Sequence, residues 1–190
     1  MFQQYVAAGL IQFGRFQGQN GDFAPVSLNF LLLPSFPALM QQTAQAMVPV
    51  LKETPANRIL AARQAVPLGA VLAIESGVPL TYPYGEAKSY TNAFVIEGAY
   101  DVGHPTALLT DALTDADDVV ALLEPARKVG LNIVDVLCLF TLGTNGIKAL
   151  EAQNIRVHTL FDFADSLANL DHGLTESLKG HVSAWLAEQT

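Results

Sequence analysis

From residue 58 onward, short β-type apolar runs alternate with segments whose apolar positions recur at helical spacing. Residues 58–62, 79–82, 106–111, 132–140 and 155–159 read as strands. Residues 67–76, 116–129 and 145–153 read as helices, each followed by a helix-ending residue: Gly77, Gly130 and Asn154. Strand and helix in alternation predict an α/β fold, a mostly parallel twisted sheet flanked by helices. The first sixty residues follow a different rhythm. A short helix precedes two strands, 13–17 and 26–30, around the turn Gly18-Gln19-Asn20-Gly21-Asp22, and a helix follows over 37–51. This part is expected to form a separate flap or hood. From Phe161 the pattern predicts two polar-faced helices, the second over 174–188. The chain is read as one domain with a hood (1–35), an α/β core (36–165) and C-terminal helices (166–190), without internal repeats.

Composition narrows the classes of function. The 190 residues are 51% hydrophobic, enough for one large core, and Lys and Arg total 10 against 18 Asp and Glu. An acidic chain without a basic run is a poor partner for nucleic acid. The N-terminal stretch has neither a basic segment leading into an apolar run nor a small-residue cleavage site, and no stretch reaches the length of a membrane span. A cytoplasmic location without membrane contact is therefore expected. Cys138, the single cysteine, lies in an apolar run and reads as a small buried hydrophobe. The histidines at 104, 158, 172 and 181 have no metal-ligand spacing, and His158 is expected to be buried at a strand end.

The stretch Thr106 to Asp118 draws attention next. An apolar strand leads into a helix whose start has no glycine but carries Asp111, Asp115, Asp117 and Asp118. A strand-to-helix turn in an α/β protein is where free backbone N–H groups usually hold an anion. Three readings of the acidic turn are open. Asp115 could cap the helix, with Asp117 and Asp118 favourably placed in its first turn. The carboxylates could instead occupy a former phosphate pocket permanently, which is compatible with capping. Asp111, Asp115 and Asp118 could also ligate a hard divalent cation, although spacing alone does not bring their oxygens to one point.

Taken in order, several short motifs resemble the orotate phosphoribosyltransferase family, of the type I phosphoribosyltransferase fold. They are Phe13-Gly14-Arg15-Phe16, Ser27-Leu28-Asn29-Phe30, Val66-Pro67-Leu68-Gly69, Glu86-Ala87-Lys88-Ser89-Tyr90, Ile96-Glu97-Gly98 and the acidic turn, and the likeness runs on through Lys148-Ala149-Leu150. The resemblance implies a reaction in which orotate displaces pyrophosphate from phosphoribosyl pyrophosphate, with Mg²⁺, giving orotidine monophosphate. It also implies a homodimer. Such chemistry needs cations aimed at the departing pyrophosphate and glycine-lined backbone around the ribose phosphate.

Compared position by position, the chain keeps the scaffold and loses most of that charge. In the catalytic loop, where the family pattern resembles R-K-x-x-K-x-H-G, only Lys88 survives, as a retained catalytic cation or, the favoured reading, a solvated charge. The hood turn has Gln19 where the family usually has lysine, with Phe30 further along on the base side. The pyrophosphate loop reads Arg63-Gln64-Ala65 after Ala62, without glycine, and Thr141-Leu142 stand where the family's Asp-Arg pair meets orotate. The ribose-phosphate loop becomes Thr110-Asp111-Ala112-Leu113-Thr114-Asp115-Ala116-Asp117-Asp118. Asp111 keeps an acidic position that in the family contacts the ribose hydroxyls, and Thr114 keeps a phosphate-side hydroxyl. Two unit charges about 4 Å apart repel by roughly 4 kcal/mol at an effective dielectric near 20, so carboxylates at a phosphate site would weaken binding by orders of magnitude. Tyr82, Tyr84, Tyr90 and Tyr100 gather near the catalytic loop, as packing or as a stacking surface. Two functions are expected to compete. One is a degraded relative that binds a nucleotide, a base or a partner. The other is an active, Mg²⁺-dependent phosphoribosyltransferase of pyrimidine nucleotide biosynthesis, its cations rebuilt from Arg15, Arg63 and Lys88.

Overall fold

A computed structural model of the chain describes residues 1–17, 23–84, 95–170 and 174–189. The helix α1 (Phe2–Ala7) leads into a hairpin of β1 (Ile11–Gln17) and β2 (Phe23–Leu28), then a 3-10 turn and α2 (Pro37–Lys52). The core follows as β3 (Arg58–Ala61), α3 (Val66–Ser76), β4 (Leu80–Tyr84), β5 (Val95–Gly98), β6 (Pro105–Leu113), α4 (Asp117–Lys128), β7 (Asn132–Thr141), α5 (Asn145–Glu151) and β8 (Arg156–Asp162). Two helices, α6 (Phe163–Ala168) and α7 (Glu176–Ala187), complete the described elements.

The six core strands are ordered β5-β4-β3-β6-β7-β8, all neighbours parallel except β4 and β5. The expected core strands and helices are therefore present, whereas the second hood strand ends at Leu28 rather than Phe30, because Phe30 opens the 3-10 turn that leads to α2. The added strand, β5, was unmarked in the periodicity because it has only four residues at the antiparallel edge. The expected helix-ending residues Gly77, Gly130 and Asn154 have φ of 74°, 89° and 60°. A left-handed residue turns the chain out of a helix, and glycine or asparagine adopts it at least cost.

Side chains of successive strand residues enter two apolar clusters on opposite faces of the sheet. Ile59, Ala61, Ala107, Leu109, Leu137 and Leu139 face α2 and α3, whereas Leu60, Leu108, Val136 and Cys138 face α4 and α5. Burial on both faces explains why these strands are continuously apolar. Cys138 is fully buried as expected, and its thiol pKa is pushed well up, chiefly by burial.

The described residues of the hood pack into the core of the sheet's first face. Phe2, Tyr5, Phe30, Phe140 and Phe163 join in one cluster. Phe140 stacks on Phe30 at 5.4 Å and on Phe161 at 5.1 Å, and meets Phe2, Tyr5 and Phe163 edge-on. Aromatic pairs in these geometries add to the energy of area burial. Phe140→Ala is expected to cost about 3–5 kcal/mol, read as a lower midpoint in urea denaturation; a loss below about 1 kcal/mol would mean that the hood and sheet are not joined through this ring.

Candidate functional site

Parallel strands leave their ligand crevice at the carboxyl ends, where the strand order reverses. Here that point lies between β3 and β6: the chain leaves β3 toward β4 on one side and β6 toward β7 on the other. The pairing of Ala61 with Leu109 and the bond from Ala62 N–H to the Leu109 carbonyl at 2.7 Å hold the two strand ends together. Two loops follow. After β3, Arg63 and Gln64 are exposed on a single 3-10 turn while Ala65 is buried beneath them. After β6, Thr114, Asp115 and Ala116 lead into α4.

A cleft of about 130 Å³ between these loops is lined by Ala62, Arg63, Gln64, Pro83, Asp118 and Leu122, together with Ala121. The structure thus brings Arg63 and Gln64 to the same cavity as Asp118. Asp115 Oδ1 accepts the N–H of Asp117 at 3.1 Å, using one donor of the first turn of α4. Ala116, rather than Asp115, is the residue flanking the helix, and Asp117 and Asp118 stand in its first turn. Asp115 therefore serves the helix start from one residue further out than expected.

The Asp111 carboxyl holds its proton more tightly than an exposed one. Burial raises its pKa above the ordinary value of 3.8, the nearby negative charge of Asp118 adds to the rise, and the N–H of Ala112, donating to Oδ1 at 3.0 Å, partly offsets it. Thr110 is buried and donates its hydroxyl to the Ala112 carbonyl at 3.3 Å. The Thr114 carbonyl accepts the N–H of Gly146 at 3.2 Å, and Ala116 is buried. Among the described residues, no group of three or more His, Cys, Asp or Glu side chains is placed to hold a metal ion, so Asp111, Asp115 and Asp118 do not assemble the three-carboxylate site.

Other expected positions fall elsewhere. Phe30 is buried against Phe140 in the aromatic core. Arg15 stacks on Phe23 beside α7, in a groove separate from the β3/β6 cleft. Thr141 is buried and bonds Asp162 at 3.4 Å, and Leu142 is 2% exposed. Tyr84 is 66% exposed, and Tyr100 packs against the second cluster. Gln19, Lys88, Tyr90 and His172 lie outside the described residues.

One polar cluster was not foreseen. Asp135, fully buried, accepts from Arg156 Nε at 2.9 Å and Nη2 at 3.0 Å, and pairs with His158 Nε2 at 2.9 Å. His158 is thus in the middle of β8 with 19% of its side chain exposed, not buried at a strand end. The contact depends on parallel register, Asp135 opposite Arg156, which sequence spacing does not contain.

No family model matches the chain. Its architecture is nevertheless the type I phosphoribosyltransferase fold. The structure is similar to UMP synthase of Leishmania donovani, with a TM-score of 0.89 and 24% identity over 98% of this chain and 41% of that one. It is also similar to orotate phosphoribosyltransferase of Aeropyrum pernix, with a TM-score of 0.80 and 18% identity over 91% of this chain and 99% of that one. By sequence the chain resembles uridine 5'-monophosphate synthase of Caenorhabditis elegans, 24% identical over 177 residues, 90% of this chain. It spans about a third of that relative's length, 35%.

The raised pKa of Asp111 fixes a sign. A carboxyl that holds its proton more tightly when folded lends its full contribution below the unfolded value of 3.8 and loses it as pH rises through the higher folded value. Asp111→Asn is therefore expected to stabilise the protein at neutral pH, with the gain fading as pH falls toward 3.8. Urea midpoints at a series of pH values check this; an equal gain at every pH would show that the carboxylate charge is not its source.

Proposed function

We propose that the chain is an orotate phosphoribosyltransferase-like protein whose sites for phosphoribosyl pyrophosphate and pyrophosphate are degraded, leaving a poorly active or non-catalytic module for binding a ligand or partner. The observation that carries this reading is the bond from the Asp117 N–H to the Asp115 carboxylate. A sugar phosphate bound at this turn would use that donor, and it would have to displace an anion already covalently in place. Asp118 adds a second carboxylate in the cleft, and its field already raises the pKa of Asp111. A phosphate carries at least one full negative charge and would meet the same repulsion.

Arg15 stacks on Phe23 in another groove, which argues against its serving as a rebuilt cation for this cleft. Pyrophosphate departure needs charge compensation that strengthens in the transition state, and among the described residues lining the cleft Arg63 is the one cation, with Asp118 in the same lining. A homodimer remains part of the proposal, resting on the resemblance.

The second reading is an active enzyme joining orotate and phosphoribosyl pyrophosphate into orotidine monophosphate and pyrophosphate. The names of the similar proteins support it, as does the position of Arg63 and Gln64 on the cleft wall. Any Mg²⁺ would have to arrive with the substrate's own phosphates, because the described carboxylates do not form a cage for it. No step of the first reading uses the metal.

Calorimetric titration with phosphoribosyl pyrophosphate and Mg²⁺, followed by orotate, separates the two. No binding heat at millimolar ligand is expected. In the double variant Asp115→Gly, Asp117→Gly, which removes two carboxylates and frees the N–H of residue 117 in the first turn, measurable binding is expected to return. Micromolar affinity in the unaltered protein would overturn the charge argument and favour the enzyme.

A further inference from the structure

We propose that the groove between the hood hairpin and α7 is a binding site for a free nucleoside monophosphate, separate from the β3/β6 cleft. The groove is about 450 Å³ and is lined by Arg15, Phe23, His181, Trp185 and Glu188 among others. That volume is within the ordinary range for small-molecule sites, about 300–1,000 Å³. None of these residues belongs to the loops after β3 or β6.

The lining combines three chemistries. First, it offers flat apolar faces: Phe23 is 53% exposed, whereas Trp185 packs partly against the main core and turns its remaining surface to the groove. A ring anchored in that way is held still, and a heteroaromatic base can stack on it without ordering a loose side chain. Second, the Arg15 guanidinium lies 3.8 Å from the centre of the Phe23 ring. The cation–π contact fixes its plane, and no carboxylate partner of Arg15 is found among the described ion pairs, so its N–H groups can serve an anion. The His181 imidazole can add a donor from the opposite wall. Third, Glu188 supplies an acceptor, which repels a phosphate but takes hydrogen bonds from the ring N–H or amino groups of a base.

These features set the ligand's orientation, with its phosphate toward Arg15 and the base edge toward Glu188. A simple sugar phosphate satisfies the cation but leaves both the stacking faces and the carboxylate unused. A polynucleotide would meet the repulsion of a chain carrying a net charge of −8.

The test uses the protein's one tryptophan, Trp185, whose emission reports on the groove directly. The intact chain is titrated with guanosine monophosphate and uridine monophosphate, with ribose 5-phosphate and inorganic phosphate as base-free controls. A saturable emission change is expected for at least one nucleotide at submillimolar concentration and for neither control. Arg15→Gln should weaken its apparent affinity by about tenfold; Glu188→Gln should weaken it less, and Phe23→Ala should lower both affinity and signal. Asp115→Asn, in the acidic turn, should leave the titration unchanged. All of these side chains are exposed, so far-ultraviolet circular dichroism should show every variant folded. The proposal is overturned by the absence of a saturable change with either nucleotide at millimolar concentration, by an equal response to ribose 5-phosphate, or by full affinity in Arg15→Gln. Dependence on Asp115 would move the site to the β3/β6 cleft and overturn it as well.

Discussion

The parallel pairing of β3 with β6 is the constraint on which the rest depends. Both strands are buried on each face, and their following connections run in opposite directions across the sheet. Two loops from distant parts of the sequence must therefore end side by side. Their backbone positions are set by sheet hydrogen bonds and apolar burial rather than by any ligand, so the crevice persists whatever residues line it. Loop chemistry can vary without loss of the fold, and here the β6 side of the cleft carries Asp118 and the β3 side Arg63.

The acidic turn is held from behind as well as from the sheet. Leu142 N–H bonds the Leu113 carbonyl at 2.9 Å and Gly146 N–H bonds the Thr114 carbonyl at 3.2 Å, tying the loop after β7 to the turn after β6. A side chain at Gly146 would press within 2.9 Å of the Asp115 carbonyl, so only glycine lets the two loops approach this closely. The Gln189 carbonyl accepts from Thr144 and Asn145 at 3.0 and 3.1 Å, adding the end of α7 to the same assembly. Since Glu188 lines the hood groove, one short stretch of chain borders both the groove and the loops behind the cleft.

Charge is distributed with similar economy in the rest of the molecule. The buried Asp135 carboxylate is met by a two-pronged guanidinium and an imidazole, so its burial leaves no oxygen without a donor. Asp111 is half-buried, with local N–H and hydroxyl support and the carboxylate of Asp118 nearby, and desolvation raises its pKa. The contrast between the two aspartates is one of compensation, a full set of charged donors for Asp135 and local donors alone for Asp111.

Element order, the parallel α/β class, the left-handed helix ends at Gly77, Gly130 and Asn154, and the burial of Cys138 were all legible in the sequence, because each depends on local conformation or on the period of apolar residues. The resemblance to the phosphoribosyltransferase fold was legible in the order and spacing of short motifs, and the charge of the acidic turn in the residues themselves. Three things were decided only by tertiary structure. The short edge strand β5 acquires its identity by pairing with β4. The Asp135–Arg156–His158 cluster exists only in one register of β7 against β8. The groove joining Arg15 and Phe23 to Trp185 requires α7 to return to the hood across the whole length of the chain. Local sequence determines how each segment folds on itself, but which side chains become neighbours across strands and layers depends on packing that no single segment encodes.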